Sequence, residues 1–289
     1  MTSKRYRWLR LIKNRWLRLI KTAGVHTALL AYSALVLFPI MLVFMNSLKD
    51  QMAIFGEPLK PPTVETFSID GYRTLFEIAN FGHYFLNSLI VTIISLLLIV
   101  YLGAIAGWAL AEYDFKLNTF MTIYLALGIM VPIRLGTVGI LKLMAGWGLV
   151  NTLTALILVY TAMGLPLSIF ILSRFFAQLP PDFKDAARID GASEYRIFTL
   201  VLPLVRPALG TVAAISMIPV WNDLWFPLIL APSEKTKTIV LGAQVFLGQF
   251  LNDWQAVLAA LSLAMIPAIL LYLIFSKQLI RGLTAGAVK

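Results

Sequence analysis

The sequence predicts an all-α membrane protein of six transmembrane helices, with a helical loop on the cytoplasmic side and a basic amphipathic interfacial helix at its N-terminus. Three observations carry that expectation. Hydrophobic residues make up 60% of the 289 and charged ones only 13%, whereas a soluble domain is about a quarter charged; mean hydropathy is +0.84. Six stretches have the roughly 20 apolar residues that a bilayer demands. The cations, finally, gather on one side of the threading those stretches impose. Zero cysteines exclude a disulfide framework and thiolate metal sites.

Taken in order, the chain opens with a basic helix over residues 1–24. Arg7-Trp-Leu-Arg-Leu-Ile-Lys13 recurs as Arg15-Trp-Leu-Arg-Leu-Ile-Lys21. Eight residues are about 2.2 turns, so both copies project to nearly the same side. Trp8 and Trp16 suit the headgroup level and the cations suit anionic membrane lipid, rather than nucleic acid. The spans follow at Val25–Asn46, Tyr84–Ala111, Asn118–Leu141, Thr152–Ala177, Pro207–Leu230 and Gln255–Ser276. The first begins too late and runs too long for a cleaved signal peptide, so it reads as an anchor. Outer loops fall at 47–83 and 231–253, the second containing a scoop-like stretch at 240–253.

Orientation follows from Lys and Arg. Seventeen lie on the side of the N-terminus, of residues 178–206 and of the C-terminal tail, and five lie opposite. Both termini are therefore expected in the cytoplasm of a multi-pass protein, which agrees with an even number of spans. The net charge of +10 becomes a topological label.

The longest cytoplasmic connection, 178–206, reads as two short helices around a glycine. Pro180 and Pro181 end the fourth span. Asp182 is placed to cap the first helix, with Asp185 in its first turn. Ala186 and Ala187 leave a small face, Gly191 suits a left-handed stop, and Ser193 with Glu194 starts the second helix. Such a hairpin is either a simple connection or a surface built to receive another protein.

Asp185-Ala-Ala-Arg-Ile-Asp-Gly191-Ala-Ser193, followed by Leu202-Pro203-Leu204, resembles the EAA loop of permease subunits from binding-protein-dependent ABC importers. The form AARIDGAS is similar to the carbohydrate, maltose-type branch. Asn87-Ser88, Gly148-Leu-Val-Asn-Thr152, Trp221-Asn222, Pro227-Leu228 and the tail Arg281–Lys289 extend the likeness from the second span to the C-terminus. Two departures stand out: aspartate at 185 replaces the usual glutamate, and Gly191 lies one residue nearer Leu202-Pro203 than in the pattern.

The resemblance implies an importer's transmembrane domain over 25–289, in a bacterial inner membrane, with no catalytic residues and no cofactor of its own. Asp185, Ala186, Ala187, Gly191, Leu202 and Pro203 are its implied contacts with a cytoplasmic ATPase homodimer, on which ATP and magnesium reside. The tail 281–289 is a secondary contact. A second homologous permease and an extracytoplasmic solute-binding protein complete the implied set. The chain has no GxxxxGK[ST] loop with which to bind nucleotide.

Ionisable residues inside spans mark function, because a lone charge at mid-bilayer costs about 2.5–3.5 kcal/mol. Arg134 and Asp223 each lie 16 residues past the start of their spans, about 24 Å in. Equal depth permits an ion pair; alternatively Arg134 faces the pathway and binds an acidic sugar. Asn87, Trp221 and Asn222 offer hydrogen bonds and a stacking face to sugar, or serve as interhelical contacts. Lys142 snorkels to the outer interface, and Gly103-Ala-Ile-Ala-Gly107 fits a close helix crossing. His26 and His83 have no partner at metal-ligand spacing. Two rival classes fit less well. A prenyltransferase-like enzyme needs a second acidic motif beside Asp182, Asp185 and Asp190, and a secondary transporter needs mid-membrane coupling charges or inverted repeats.

Overall fold

The computed structural model describes residues 2–77, 80–244, 246 and 253–285. Helices dominate, and the described residues contain no strand beyond one isolated bridge between Lys49 and Phe67. Helix α1 (Thr2–Asn46) joins the basic repeats and the first apolar stretch without a break at Gly24 or Pro39. Residues 21–39 are exposed along its flank. Trp8, Trp16 and tail positions 281–289 fall outside the residues described at side-chain level, as do 247–252 of the scoop-like stretch.

The first expected outer loop, 47–83, contains α2 (Gln51–Gly56) and α3 (Asp70–Glu77). Asp50 caps α2 by accepting from the Ala53 amide at 2.8 Å. Lys49 is buried, its ammonium donating to Asn46 Oδ1 at 3.0 Å and Glu57 O at 2.8 Å. Burial pushes its pKa below the ordinary lysine value.

Helices α4 (Phe81–Glu112), α5 (Asn118–Met130), α6 (Thr137–Gly146) and α7 (Leu153–Ala177) follow. The third stretch, expected as one span over Asn118–Leu141, is broken in two. It bends by 88° between α5 and α6. Pro132 forces Val131 into extended backbone and removes a donor, and a 3-10 turn at Ile133–Gly136 turns the corner. Helix α8 (Pro181–Ile189) and α9 (Glu194–Val201) form the hairpin, and a 3-10 turn at Leu202–Val205 leads into α10 (Arg206–Trp221). The fifth stretch also breaks, at Asn222–Leu224, before α11 (Trp225–Leu230). Helix α12 (Ile239–Gln244) and α13 (Trp254–Ala285) close the chain.

Among the described residues, four helical segments are long and apolar enough to cross a membrane: Lys21–Asn46, Phe81–Glu112, Leu153–Ala177 and Glu194–Trp221. The bent pair α5–α6 makes up to a fifth, and Trp254–Leu270 is a shorter apolar helix.

The most extensive helix contact among the described residues is α4 on α7. Ser168 Oγ donates to Ile99 O at 3.0 Å across it. A Cβ at Gly103 would lie 1.9 Å from that Oγ, one at Gly107 would meet Leu172 and Ser173 at 3.0–3.1 Å, and one at Gly164 would strike Ile99. Small residues four apart on both helices thus let the backbones approach. Gly103→Ala should therefore lower stability in detergent by about 1–3 kcal/mol, read by thermal unfolding. Gly24→Ala, which meets nothing within 4 Å, should leave the melting point unchanged or slightly higher. Equal shifts would show that the crossing is not close-packed.

Candidate functional site

Two polar clusters stand out at opposite ends of the bundle. The first is the α8–α9 hairpin. Pro181 starts α8, where its missing N–H costs nothing. Pro180, not Asp182, occupies the cap position; Asp182 sits in the first turn and Asp185 a turn later. Gly191 ends the helix at φ +75°. The Ala192 amide donates to Ala187 O at 2.9 Å and the Gly191 amide to Arg188 O at 3.0 Å, the two bonds of a Schellman stop. Ser193 then caps α9, accepting from the Arg196 amide at 3.4 Å.

The hairpin has two unlike faces. Ala187, Ala192 and Leu202 pack inward on Trp108, Phe176, Ile197, Phe198 and Val201. Asp185, Ala186, Gly191 and Pro203 are exposed, beside Phe183, Ile189 and Tyr195. The six residues singled out in the sequence therefore divide, four outward and two inward.

Sequence reasoning missed what fastens the hairpin. Glu112, the last residue of α4, is only 7% exposed in its side chain. One carboxylate oxygen accepts from Lys184 Nζ at 2.6 Å and the other from Arg188 Nη2 at 2.5 Å. Arg188 reaches further, from Nε to Glu194 Oε1 at 2.9 Å and from Nη1 to Asp185 Oδ1 at 3.2 Å. Hydrogen bonds to Glu194 and Glu112 hold the guanidinium protonated well above its ordinary range. Tyr113 Oη donates to Glu194 Oε2 at 2.8 Å, and Lys184 Nζ lies 5.8 Å from the centre of the Trp108 ring. The available signal was an acid ending an apolar run, with Lys184 and Arg188 four residues apart on one helical face.

The second cluster lies at the breaks in the third and fifth apolar stretches. Asp223 caps α11: Oδ1 accepts from the Trp225 amide at 3.2 Å, and Oδ2 from the Phe226 amide at 3.0 Å. Tyr160 Oη donates to the same Oδ2 at 2.9 Å. Arg134, 3.8 Å from Asp223, is an outlying partner at 69% side-chain exposure against 10% for the aspartate. Its guanidinium sits 5.8 Å from the centre of the half-exposed Trp225 ring, whose Nε1 donates to Thr137 Oγ1 at 3.0 Å. Asn222 is exposed, its amide donating to Ile218 O at 3.0 Å.

Asn87 and Trp221 do not join that cluster. Both are buried. Trp221 Nε1 donates to Ala264 O at 3.0 Å, tying α10 to α13. Asn87 Nδ2 donates to Lys235 O at 3.0 Å and Lys237 O at 2.9 Å, holding the second loop on α4.

A bundle of lipid-compatible helices with its polar groups gathered at breaks and ends defines a multi-pass membrane protein. The chain belongs to the family described as "Binding-protein-dependent transport system inner membrane component", which residues 99–285 match. It is 31% identical over 264 residues to the diacetylchitobiose uptake system permease protein of Streptomyces coelicolor, covering 90% of this chain and 87% of that one. It is 34% identical over 259 residues to the trehalose/maltose transport system permease protein of Thermococcus litoralis, covering 88% and 91%. A crystal structure of a bacterial ABC transporter involved in the import of the acidic polysaccharide alginate shares the fold, with TM-score 0.76 and 18% identity over 89% of this chain and 96% of that one. The expected membership among carbohydrate ABC permeases is thereby borne out.

The geometry ranks the two members of the charged pair. Asp223→Ala strands the Tyr160 hydroxyl and two amides, so stability should fall by about 2–4 kcal/mol. Arg134→Ala removes one exposed contact and should cost under about 1 kcal/mol. Thermal unfolding of the purified variants checks this; equal losses would show that the ion pair, not the cap, holds the turn.

Proposed function

We propose that this chain is the translocation subunit of an ATP-driven sugar importer in a bacterial inner membrane. The observation that carries the proposal is the two-faced hairpin: one side is fastened to the bundle, while the other offers Asp185, Ala186, Gly191, Phe183 and Ile189 to a partner. On this reading 178–206 is the EAA coupling loop, received by a cytoplasmic ATPase homodimer that supplies ATP and magnesium chemistry. Ala187 and Leu202 hold the loop's shape from within. Both termini lie in the cytoplasm, α13 provides the sixth crossing, and the cations of residues 1–24, on a helix continuous with the first span, meet anionic lipid where α1 enters the membrane. A second homologous permease shares the pathway. An apolar recess of about 380 Å³ between α4 and α10, lined by Leu89, Leu96, Val100, Leu209 and Trp221, supports such a lateral partner. A solute-binding protein delivers substrate on the opposite side.

The cargo is a mono- or oligosaccharide or a derivative, and Arg134 favours an acidic one. Asp223 is already satisfied by three donors, so the guanidinium is not consumed by its neighbour. With Trp225 it offers a cation and an aromatic face, the groups that recognise a carboxylated sugar. Asn222 stands beside them, while Asn87 and Trp221 act as supports.

Two measurements on the complete importer in proteoliposomes test these roles. Gly191→Leu has open space around it but a strained φ. It should leave the protein inserted while cutting uptake at least tenfold relative to ATP hydrolysed; unchanged uptake would defeat the coupling role. Arg134→Ala should reduce uptake of a uronic-acid oligosaccharide about tenfold and of a neutral one little. Equal loss for both would remove the acidic-sugar assignment.

A further inference from the structure

Helix α4 is fixed by polar contacts at both ends. At one end Glu112 holds Lys184 and Arg188 of the hairpin at 2.6 and 2.5 Å. At the other, Tyr84 donates to Glu234, His83 Nε2 lies 2.9 Å from Lys235 O, and Ser88 Oγ accepts from the Ile239 amide at 2.8 Å. The helix that carries both sets of contacts is 32 residues, about 48 Å, long.

That helix differs from its neighbours. Helices α1, α7, α10 and α13 each contain a proline, at 39, 166, 219 and 267, and α5–α6 is bent by 88°. Among the long described helices α4 alone contains none. Proline interrupts the backbone ladder and lets a helix flex. A displacement entering α4 therefore meets no proline break along its length.

We infer that Glu112 is a positioning residue for coupling: it locks the α8–α9 hairpin to α4, so that α4 carries hairpin displacement to the loop at 233–239. The inference rests on the hairpin being the coupling loop. Its chemistry is specific. A nearly buried carboxylate between two cations forms charge-assisted bonds in fixed directions. The Arg188 fork spans Glu112, Asp185 and Glu194 at once, and lysine has no such fork. Apolar packing of Ala187 and Ala192 alone would let the hairpin slide; the clamp removes that freedom.

The test uses the complete importer in lipid nanodiscs, with the solute-binding protein as probe and ATP hydrolysis as readout. The quantity measured is the ratio of hydrolysis with the binding protein to hydrolysis without it. Glu112→Gln, which keeps shape and loses charge, should lower that ratio about tenfold, and Glu112→Asp should retain most of it. A ratio unaltered in Glu112→Gln overturns the inference, as does an equal fall in Glu112→Asp, which would mean that packing and not charge is sensed. Co-purification of the ATPase checks assembly. Should Glu112→Gln fail to assemble, Arg188→Lys decides, with the same fall expected and an unaltered ratio overturning the inference. A wild-type complex whose hydrolysis ignores the binding protein sinks the importer reading itself, an outcome separate from a responsive wild type with a responsive Glu112→Gln.

Discussion

The close approach of α4 to α7 is the constraint on which the rest of the structure depends. In lipid there is no hydrophobic drive to bring apolar helices together, so contact rests on packing and interhelical hydrogen bonds. Gly103 and Gly107 on one helix, and Gly164 and Ser168 on the other, remove the side chains that would hold the backbones apart. The Ser168 hydroxyl then bonds Ile99 O. Because α4 is seated there, its two ends are placed: Glu112 beneath the hairpin, and Tyr84, Asn87 and Ser88 beneath the second loop.

The same lack of water governs the two breaks. Every backbone group freed from a helix within lipid must find an internal partner. At Asn222–Leu224 the partner is Asp223, which accepts from two amides of α11 and from Tyr160. At Val131–Gly136 the corner is made by Pro132, which has no donor to satisfy, and by a 3-10 turn. The breaks bring Arg134 and Trp225 together from sequence positions 91 residues apart. A straight third helix would have placed Arg134 by depth alone; the bend places it against a particular aromatic ring.

How much of this was legible depended on how local the signal is. The glycine stop at 191, the serine cap at 193 and the Gly103–Gly107 crossing are written within a few residues and read correctly from them. Asp182 was assigned the cap because carboxylates favour that position, yet Pro180 took it, since a proline pair fixes where the helix can begin. The bend at Pro132 was missed because a proline inside a long apolar run is often tolerated, as Pro166, Pro219 and Pro267 are in their helices. Equal depth correctly allowed Arg134 to meet Asp223. It gave no sign that the aspartate would be occupied by amides. Glu112 lies 72 and 76 positions from its partners, a pairing that no local pattern reveals.

The charges consequently divide into two kinds. Counting cations by side treats each as a label on the membrane, and those around 178–206 all entered that count alike. Two of them are spent differently. Lys184 is 12% exposed and Arg188 36%, and both are neutralised by carboxylates held at 3.2 Å or less. A cation so paired contributes little field to the lipid surface and much to fixing one helix against another. It also explains an otherwise costly feature, a nearly buried glutamate at the end of a 32-residue apolar helix. An uncompensated carboxylate there would be driven out to water. With Lys184 and Arg188 facing it, the same residue becomes the point where a 32-residue helix without proline is joined to the α8–α9 hairpin.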